Sequence, residues 1–172
     1  MCSSDLLTTY RRMAADTIDE VMDRLDRKGG SHTKRLPLIG TDGWDRTGCG
    51  EHLEHRFGSE ATHVRALADT DPALAAPLVP GLPYLAAEAV HAVRHEMARS
   101  LDDVLTRRTR ARLFARDATA DAAESVAALI AGDLGWSPER ARQEAAAFRA
   151  DVEHERTSGA LPHTALDALA GA

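Results

Sequence analysis

The chain has 172 residues, with 44% hydrophobic but only 4% aromatic residues and a formal charge of −6. That length suits one domain with its own core, and the alanine-rich apolar fraction favours packed helices over sheets. The acidic balance argues against a general polyanion binder, and two cysteines, Cys2 and Cys49, make no disulfide framework. No run of about 18 apolar residues is present and the N-terminus lacks a signal-peptide layout, so a cytoplasmic protein without a transmembrane segment is expected.

The first periodic segment runs from Leu6 to Leu25, where Leu7, Tyr10, Met13, Ala14, Ile18, Val21 and Leu25 line one helical face and Gly29-Gly30 stops it. Residues 31–50 read as loop, with Leu36-Pro37-Leu38-Ile39 extended against a neighbouring surface because Pro37 cannot sit in a helix interior. Ser59 is expected to cap a short helix to Leu67, and Asp71-Pro72 to start another turn. Pro77, Pro80, Gly81 and Pro83 bar any long helix before Tyr84. Helical spacing returns from Tyr84 to Ala98, with Leu85, Ala89, Val93 and Met97 on one stripe. Ser100 reads as a cap, with Asp103 three residues on completing a capping box before Val104, Leu105 and Arg108. An alanine-rich helix follows Asp117, carrying Val126, Leu129, Ile130 and Leu134 and ending at Gly135. Ser137-Pro138-Glu139 restarts the chain as a helix whose buried side is Ala141, Ala145, Phe148 and Val152. The reading is all-α, with about five or six helices and no strand. Its expected divisions are 1–30 as linking segment and first helix, 31–82 as loop-rich connector, 83–157 as helical core and 158–172 as flexible tail.

Chemistry-bearing patterns are sparse. No strand–G-x-G-x-x-G–helix unit is present, and the glycines of Thr41-Asp42-Gly43 and Gly48-Cys49-Gly50 lack that setting. His91 and His95 could share a metal, but without an obvious third ligand they read as surface or interface histidines. Cys49-x-x-His52-x-x-His55, with His63 beyond, matches no zinc spacing closely. No metal site and no catalytic residue is assigned. Arg107, Arg108, Arg110, Arg112 and Arg116 make the most basic run; they wrap around a helix and are flanked by acids, so a solvated, ion-paired face is favoured over nucleic-acid binding. Arg94, Glu96, Arg99, Asp103, Arg107 and Arg108 cluster around the Ser100 corner and read as a structural network fixing that corner or a domain contact.

Four segments in order carry a resemblance. They are Leu7-Thr-Thr-Tyr-Arg-Arg-Met-Ala14, Thr33-Lys-Arg-Leu-Pro-Leu-Ile-Gly40, Arg56-Phe-Gly-Ser-Glu-Ala61, and the long string from Val93 through Arg-His-Glu-Met-Ala-Arg-Ser-Leu-Asp-Asp-Val-Leu-Thr-Arg-Arg to Thr109. Together they resemble the C-terminal domain of FAD-dependent, aerobic-type sn-glycerol-3-phosphate dehydrogenases over about residues 7–156. The resemblance implies a helical domain packed on a flavin-binding domain that oxidises glycerol 3-phosphate to dihydroxyacetone phosphate, with electrons passing to a membrane quinone or another acceptor. It places Leu7, Thr8 and Thr9 nearest the FAD of a complete enzyme. Family members usually carry Gly-Gly-Lys before Leu-Thr-Thr-Tyr, where this chain has Ser4, Asp5 and Leu6. The expectation is therefore an accessory domain that binds no FAD and catalyses nothing alone, partnered by a flavin-binding domain in cis or in trans. Self-association, and peripheral attachment of the complete enzyme to the inner face of the membrane, stay open. The alternatives are a free-standing interaction module and, behind it, nucleic-acid binding through the arginine run.

Overall fold

The computed structural model describes residues 3–43 and 51–163, with side chains from residue 9 onward. The chain divides into two compact units, 1–43 and 44–172.

The smaller unit is one long helix and a returning segment. Helix α1 spans Ser3–Arg24, three residues earlier at its start than the apolar pattern alone indicates. Asp26 takes a left-handed φ of 49° and turns the chain. A 3-10 turn, Thr33–Arg35, then brings the chain back, and the Arg11 guanidinium holds it by donating to the Thr33 carbonyl at 2.8 Å. Within this unit α1 and the returning segment frame an apolar groove of about 470 Å³, lined by Tyr10, Ile18, Met22, Leu36 and Leu38.

The larger unit is a helical assembly. Its α-helices are α2 (His52–Phe57), α3 (Ala61–Thr70), α4 (Pro72–Ala75), α5 (Ala86–His95), α6 (Ala111–Phe114), α7 (Arg116–Asp121), α8 (Ala123–Leu134) and α9 (Pro138–Ser158). A π-helix, Asp103–Arg108, stands between α5 and α6. Among the described residues no strand forms; Pro77 and Leu85 make one isolated antiparallel bridge that closes the proline-rich loop. The all-α expectation holds, and the helices of ten residues or more are α1, α3, α5, α8 and α9.

Helix α5 is the axis of the larger unit. Every residue from Ala86 to Val93 is buried, so this helix is enclosed on all sides rather than lying on a surface. On one side Ala89, Ala92 and Val93 join Leu101, Val104, Leu105, Val126, Ile130, Phe148 and Val152 in the main core. On the other, Ala87 joins Leu53, Phe57, Ala61, Val64 and Ala68 in a second cluster. Alanines 87, 89, 92, 98, 111, 123 and 127 are fully buried. Their small side chains let helix backbones approach closely, which explains how a core forms with so few aromatics.

Several local boundaries follow chemistry that the sequence pattern disguised. The Ser59 start is a 3-10 turn, Gly58–Glu60, and α3 begins at Ala61. Residues 52–57, read as connector, form α2: Glu54 returns its carboxylate to the Glu51 amide at 3.2 Å and so anchors the first turn. The helix expected to run from Tyr84 to Ala98 stops at His95; Met97 adopts a left-handed φ of 59° and its side chain is 77% exposed instead of sharing the stripe of Val93. The single helix expected after Asp117 is two, α7 and α8, joined at Ala122. Other stops and starts fall as the caps indicate. Asp71 accepts from the Ala73 amide at 2.8 Å, Ser137 accepts from the Arg140 amide at 3.2 Å, and Gly135 ends α8 at a φ of 66°. The expected tail beyond residue 163, the Gly48-Cys49-Gly50 glycines and both cysteines lie outside the described residues.

Candidate functional site

The densest chemistry gathers where α2, the start of α5 and the π-helix meet. Glu88, in the first turn of α5, is completely buried. An unpaired carboxylate there would carry a large desolvation cost. It is instead bonded by the Leu85 amide at 2.9 Å and His52 Nε2 at 3.1 Å, and the Arg56 Nε lies 3.2 Å away as an ion-pair partner without hydrogen-bond geometry. Position three of the helix lets Glu88 fold back on its own N-terminus, and α2 then supplies the counter-charge and the ring.

Arg56 links this carboxylate to the π-helix. Its Nη2 donates to the Arg108 carbonyl at 2.5 Å, and its guanidinium lies over Phe57 at 4.9 Å and Tyr84 at 5.6 Å. The planar cation thus offsets Glu88, occupies a C-terminal carbonyl and stacks on two rings, which lysine could not do together. His52 meets Tyr84 edge-on, with ring centroids 5.2 Å apart. Burial pushes the Tyr84 phenol above its ordinary pKa, so it stays a neutral donor at physiological pH.

The corner itself is a helix start with an unusual continuation. Ser100 accepts from the Asp103 amide at 3.1 Å, and the Asp103 carboxylate accepts from the amides of Arg99 at 3.0 Å and Ser100 at 3.1 Å. The Arg99 amide, together with Arg107 and Ser100, holds the Asp103 pKa at about 2 against the opposing effect of burial. After one turn the register widens: the Thr109 amide bonds the Val104 carbonyl, five residues back, at 2.9 Å. The buried Thr109 hydroxyl doubles that bond at 2.8 Å. Arg110 then takes a left-handed φ of 58°, a costly conformation for a residue with a Cβ. Wide turns of this kind recur at functional sites.

Of the six residues expected to form a network here, five bond at the corner, Glu96 and Arg99 through their backbone only. Asp103 pairs with Arg107, which also reaches Asp102 at 2.9 Å, and Arg108 donates through Nε and Nη2 to the Glu96 carbonyl at 3.0 and 2.7 Å. Arg94 leaves the corner and forms a bidentate pair with Asp133 of α8, at 2.7 and 3.2 Å. Arg99 contributes its amide, and no side-chain bond of its guanidinium forms among the described residues. Carboxylate oxygens thus cap the corner backbone, and guanidiniums bind carbonyls as much as acids. Leu7 and Thr8 lie on α1 with side chains outside the described set; Thr9 is exposed, its hydroxyl 3.5 Å from the Met13 sulfur.

The remaining sequence candidates resolve differently. Arg112 and Arg116 are mostly buried: Arg112 is clasped by Asp151 and Glu155 of α9, each at 2.6 Å, and Arg116 pairs with Asp117 at 3.0 Å. Those charges are consumed inside the fold, which weakens the nucleic-acid reading. The His91 and His95 rings sit 4.8 Å apart, with Phe57 edge-on to the buried His91, whose pKa burial lowers. His52 is engaged by Glu88 and His63 by Glu60, while Cys49 lies outside the described residues. Among the described residues no three metal-ligating side chains converge. Glu88, Tyr84 and Thr109 escaped the sequence reading as site residues, and His52 was weighed only as a metal ligand; the one available signal was an acid, Glu88, near the start of the helix expected from Tyr84.

Against known proteins, residues 31–141 match the family described as the C-terminal domain of alpha-glycerophosphate oxidase. The chain is 35% identical to glycerol-3-phosphate dehydrogenase 2 of Mycobacterium tuberculosis over 90% of its own length and 29% of that protein's. It is 34% identical to a probable mitochondrial glycerol-3-phosphate dehydrogenase of Dictyostelium discoideum, over 80% of this chain and 24% of the relative. Against the mitochondrial glycerol-3-phosphate dehydrogenase of Arabidopsis thaliana the identity is 30%, over 80% of this chain and 26% of the relative. The chain therefore spans less than a third of the length of these relatives. No solved structure matches.

Proposed function

Because the chain belongs to the family of the C-terminal domain of alpha-glycerophosphate oxidase, we propose that it is the helical accessory part of a flavin-dependent glycerol-3-phosphate dehydrogenase. In this reading a flavin-binding domain carries the oxidation of glycerol 3-phosphate to dihydroxyacetone phosphate. This chain stabilises that domain and closes one side of it.

The observation that carries the reading is the apolar surface of the smaller unit. Ile18 is 57% exposed, Leu38 72% and Ile39 92%, although their spacing and composition are those of buried positions. A contiguous apolar surface of this kind marks a contact with another protein surface. The resemblance stated above names a flavin-binding domain as that surface, reached where α1 begins. FAD would supply a two-electron acceptor at such a contact. Among the described residues of this chain no strand–turn–helix unit exists to hold a dinucleotide pyrophosphate, so the chain alone does not fit the cofactor and no step is routed through it. Leu7, Thr8 and Thr9 are assigned only a position near the flavin of the assembled enzyme.

Among the described residues no helix is long and apolar enough to cross a membrane. Our reading puts the assembled enzyme in the cytoplasm, peripheral to the inner face of the membrane, where a quinone would receive its electrons.

The test is purification of this chain with and without a co-expressed flavin-binding domain from the same genome. Alone, the chain should emerge colourless and fail to reduce an artificial acceptor with glycerol 3-phosphate; together, the pair should co-elute and turn over. Stoichiometric FAD retained by this chain alone would overturn the reading. The same exposed surface supports a second reading, self-association, and sedimentation of a clean monomer at high concentration would remove it.

A further inference from the structure

We propose that His91 and His95, at the C-terminal end of α5, chelate one divalent transition-metal ion of the zinc or nickel class. The inference concerns this chain's own residues and does not depend on a flavin-binding partner. The two residues stand four apart on α5, so their side chains share one flank of the helix.

The ring spacing is that of a chelating pair. Nitrogen–metal bonds of about 2.0–2.1 Å put each ring centroid about 3.2 Å from the ion. Two such rings, at angles between octahedral and tetrahedral, then stand about 4.5–5.2 Å apart. The observed centroids are 4.8 Å apart, with the ring planes tilted by 34° rather than stacked. One ion between them therefore requires no movement of the helix backbone.

The pair also lacks polar partners. His91 is only 6% exposed, and Phe57 braces its ring edge-on at 5.1 Å. Neither imidazole makes a hydrogen bond or ion pair among the described residues. Yet the His91 nitrogens are not among the buried polar atoms cut off from solvent, so an ion can reach them. A largely buried imidazole without a partner carries a desolvation cost that a metal bond would offset. Burial also lowers the His91 pKa, which keeps the ring neutral and its lone pair available at neutral pH.

The surroundings favour a cation. Glu96 at the end of α5 and Glu60 in the turn before α3 both act on His91 as attracting charges. The opposing charges are those of His95 and of His63 on α3, which Glu60 holds through Nδ1 at 2.9 Å. Among the described residues no third side chain converges with the two histidines, so water would complete the coordination. Imidazole nitrogens suit zinc and nickel, whereas magnesium and calcium prefer oxygen. The ion would clamp the last turn of α5 just before the left-handed Met97, and so stabilise the folded chain.

The experiment is calorimetric titration of the full chain, purified without a histidine tag, with zinc and nickel ions in excess magnesium. One saturable site per chain is expected, with a raised thermal midpoint and shifted NMR signals from the His91, His95 and Phe57 rings. His95→Gln removes one ligand at an exposed position and should weaken binding by about tenfold or more. His91→Gln should do the same, with circular dichroism checking that helical content persists. His154→Gln, on α9, should leave the affinity unchanged. The proposal fails if neither ion binds saturably, if magnesium competes as an equal, or if His95→Gln binds as tightly as the parent chain, in which case the ion sits elsewhere.

Discussion

Helices α1 and α9 are nearly equal in length, at 22 and 21 residues, and both carry apolar residues at three- and four-residue steps. On α9 the stripe of Ala141, Ala145, Phe148 and Val152 is buried against α7 and α8. On α1 the corresponding stripe of Tyr10, Met13, Ile18 and Val21 stays 37–57% exposed. Polar flanks do not distinguish the two. Helical periodicity specifies that a face exists, whereas what covers the face depends on which other elements are available to pack there. The smaller unit has one helix and a returning loop, too little surface to bury its own apolar side.

The sharpest way to break this comparison is to truncate equivalent positions. Leu105→Ala, in the fully buried core, is expected to cost about 2–5 kcal/mol in urea unfolding, from lost burial plus the cavity left behind. Glu88→Ala comes next, at about 2–4 kcal/mol, because it strands the Leu85 amide and the Arg56 charge without their shared carboxylate. If Glu88→Ala unfolds at the same denaturant concentration as the parent chain, the α2–α5 junction is not held by that carboxylate.

Acid should act on the larger unit through Asp103. Its folded pKa is depressed to about 2, so its contribution is present above the ordinary carboxylate range and is lost as pH falls towards 2. The expected loss between pH 5 and pH 2 is about 1–2 kcal/mol, read as the difference in acid sensitivity between the parent and Asp103→Asn. The smallest effect belongs to the smaller unit: Ile18→Ser should change the stability of the isolated chain by less than about 0.5 kcal/mol, since that side chain is already in water. The same change should weaken co-elution with a flavin-binding domain. A large stability loss from Ile18→Ser would mean that the α1 stripe is covered within the chain in solution, and the contrast with α9 would collapse.

Much of the fold was legible because it is written in local chemistry. Ser137-Pro138 and Gly135 mark their boundaries through side-chain oxygens, a missing amide and a left-handed φ, all properties of a few neighbouring residues. The Ser100–Asp103 cap is legible for the same reason. Two local misreadings show the limit. The apolar spacing continues smoothly to Met97, yet α5 ends at His95, where the Arg108 guanidinium binds the Glu96 carbonyl from twelve residues away. The spacing after Asp117 likewise reads as one helix because alanine fits any helical face, and packing divides it at Ala122.

The candidate site was least legible, since its bonds join positions far apart in the chain. His52 and Arg56 stand thirty-six and thirty-two residues before Glu88, and Arg56 reaches the Arg108 carbonyl across fifty-two. No periodicity records such a pairing. Composition, caps and helical spacing thus determined an all-α chain, its main helices and the faces they would bury, because those depend on backbone geometry within a few residues. The tertiary structure alone decided that Glu88 is a buried anchor, that Arg112 and Arg116 are spent inside the fold, and that the Arg108 and Arg110 guanidiniums form no ion pair among the described residues. Those outcomes depend on which solvated groups lose water together, and that is set only when distant helices pack.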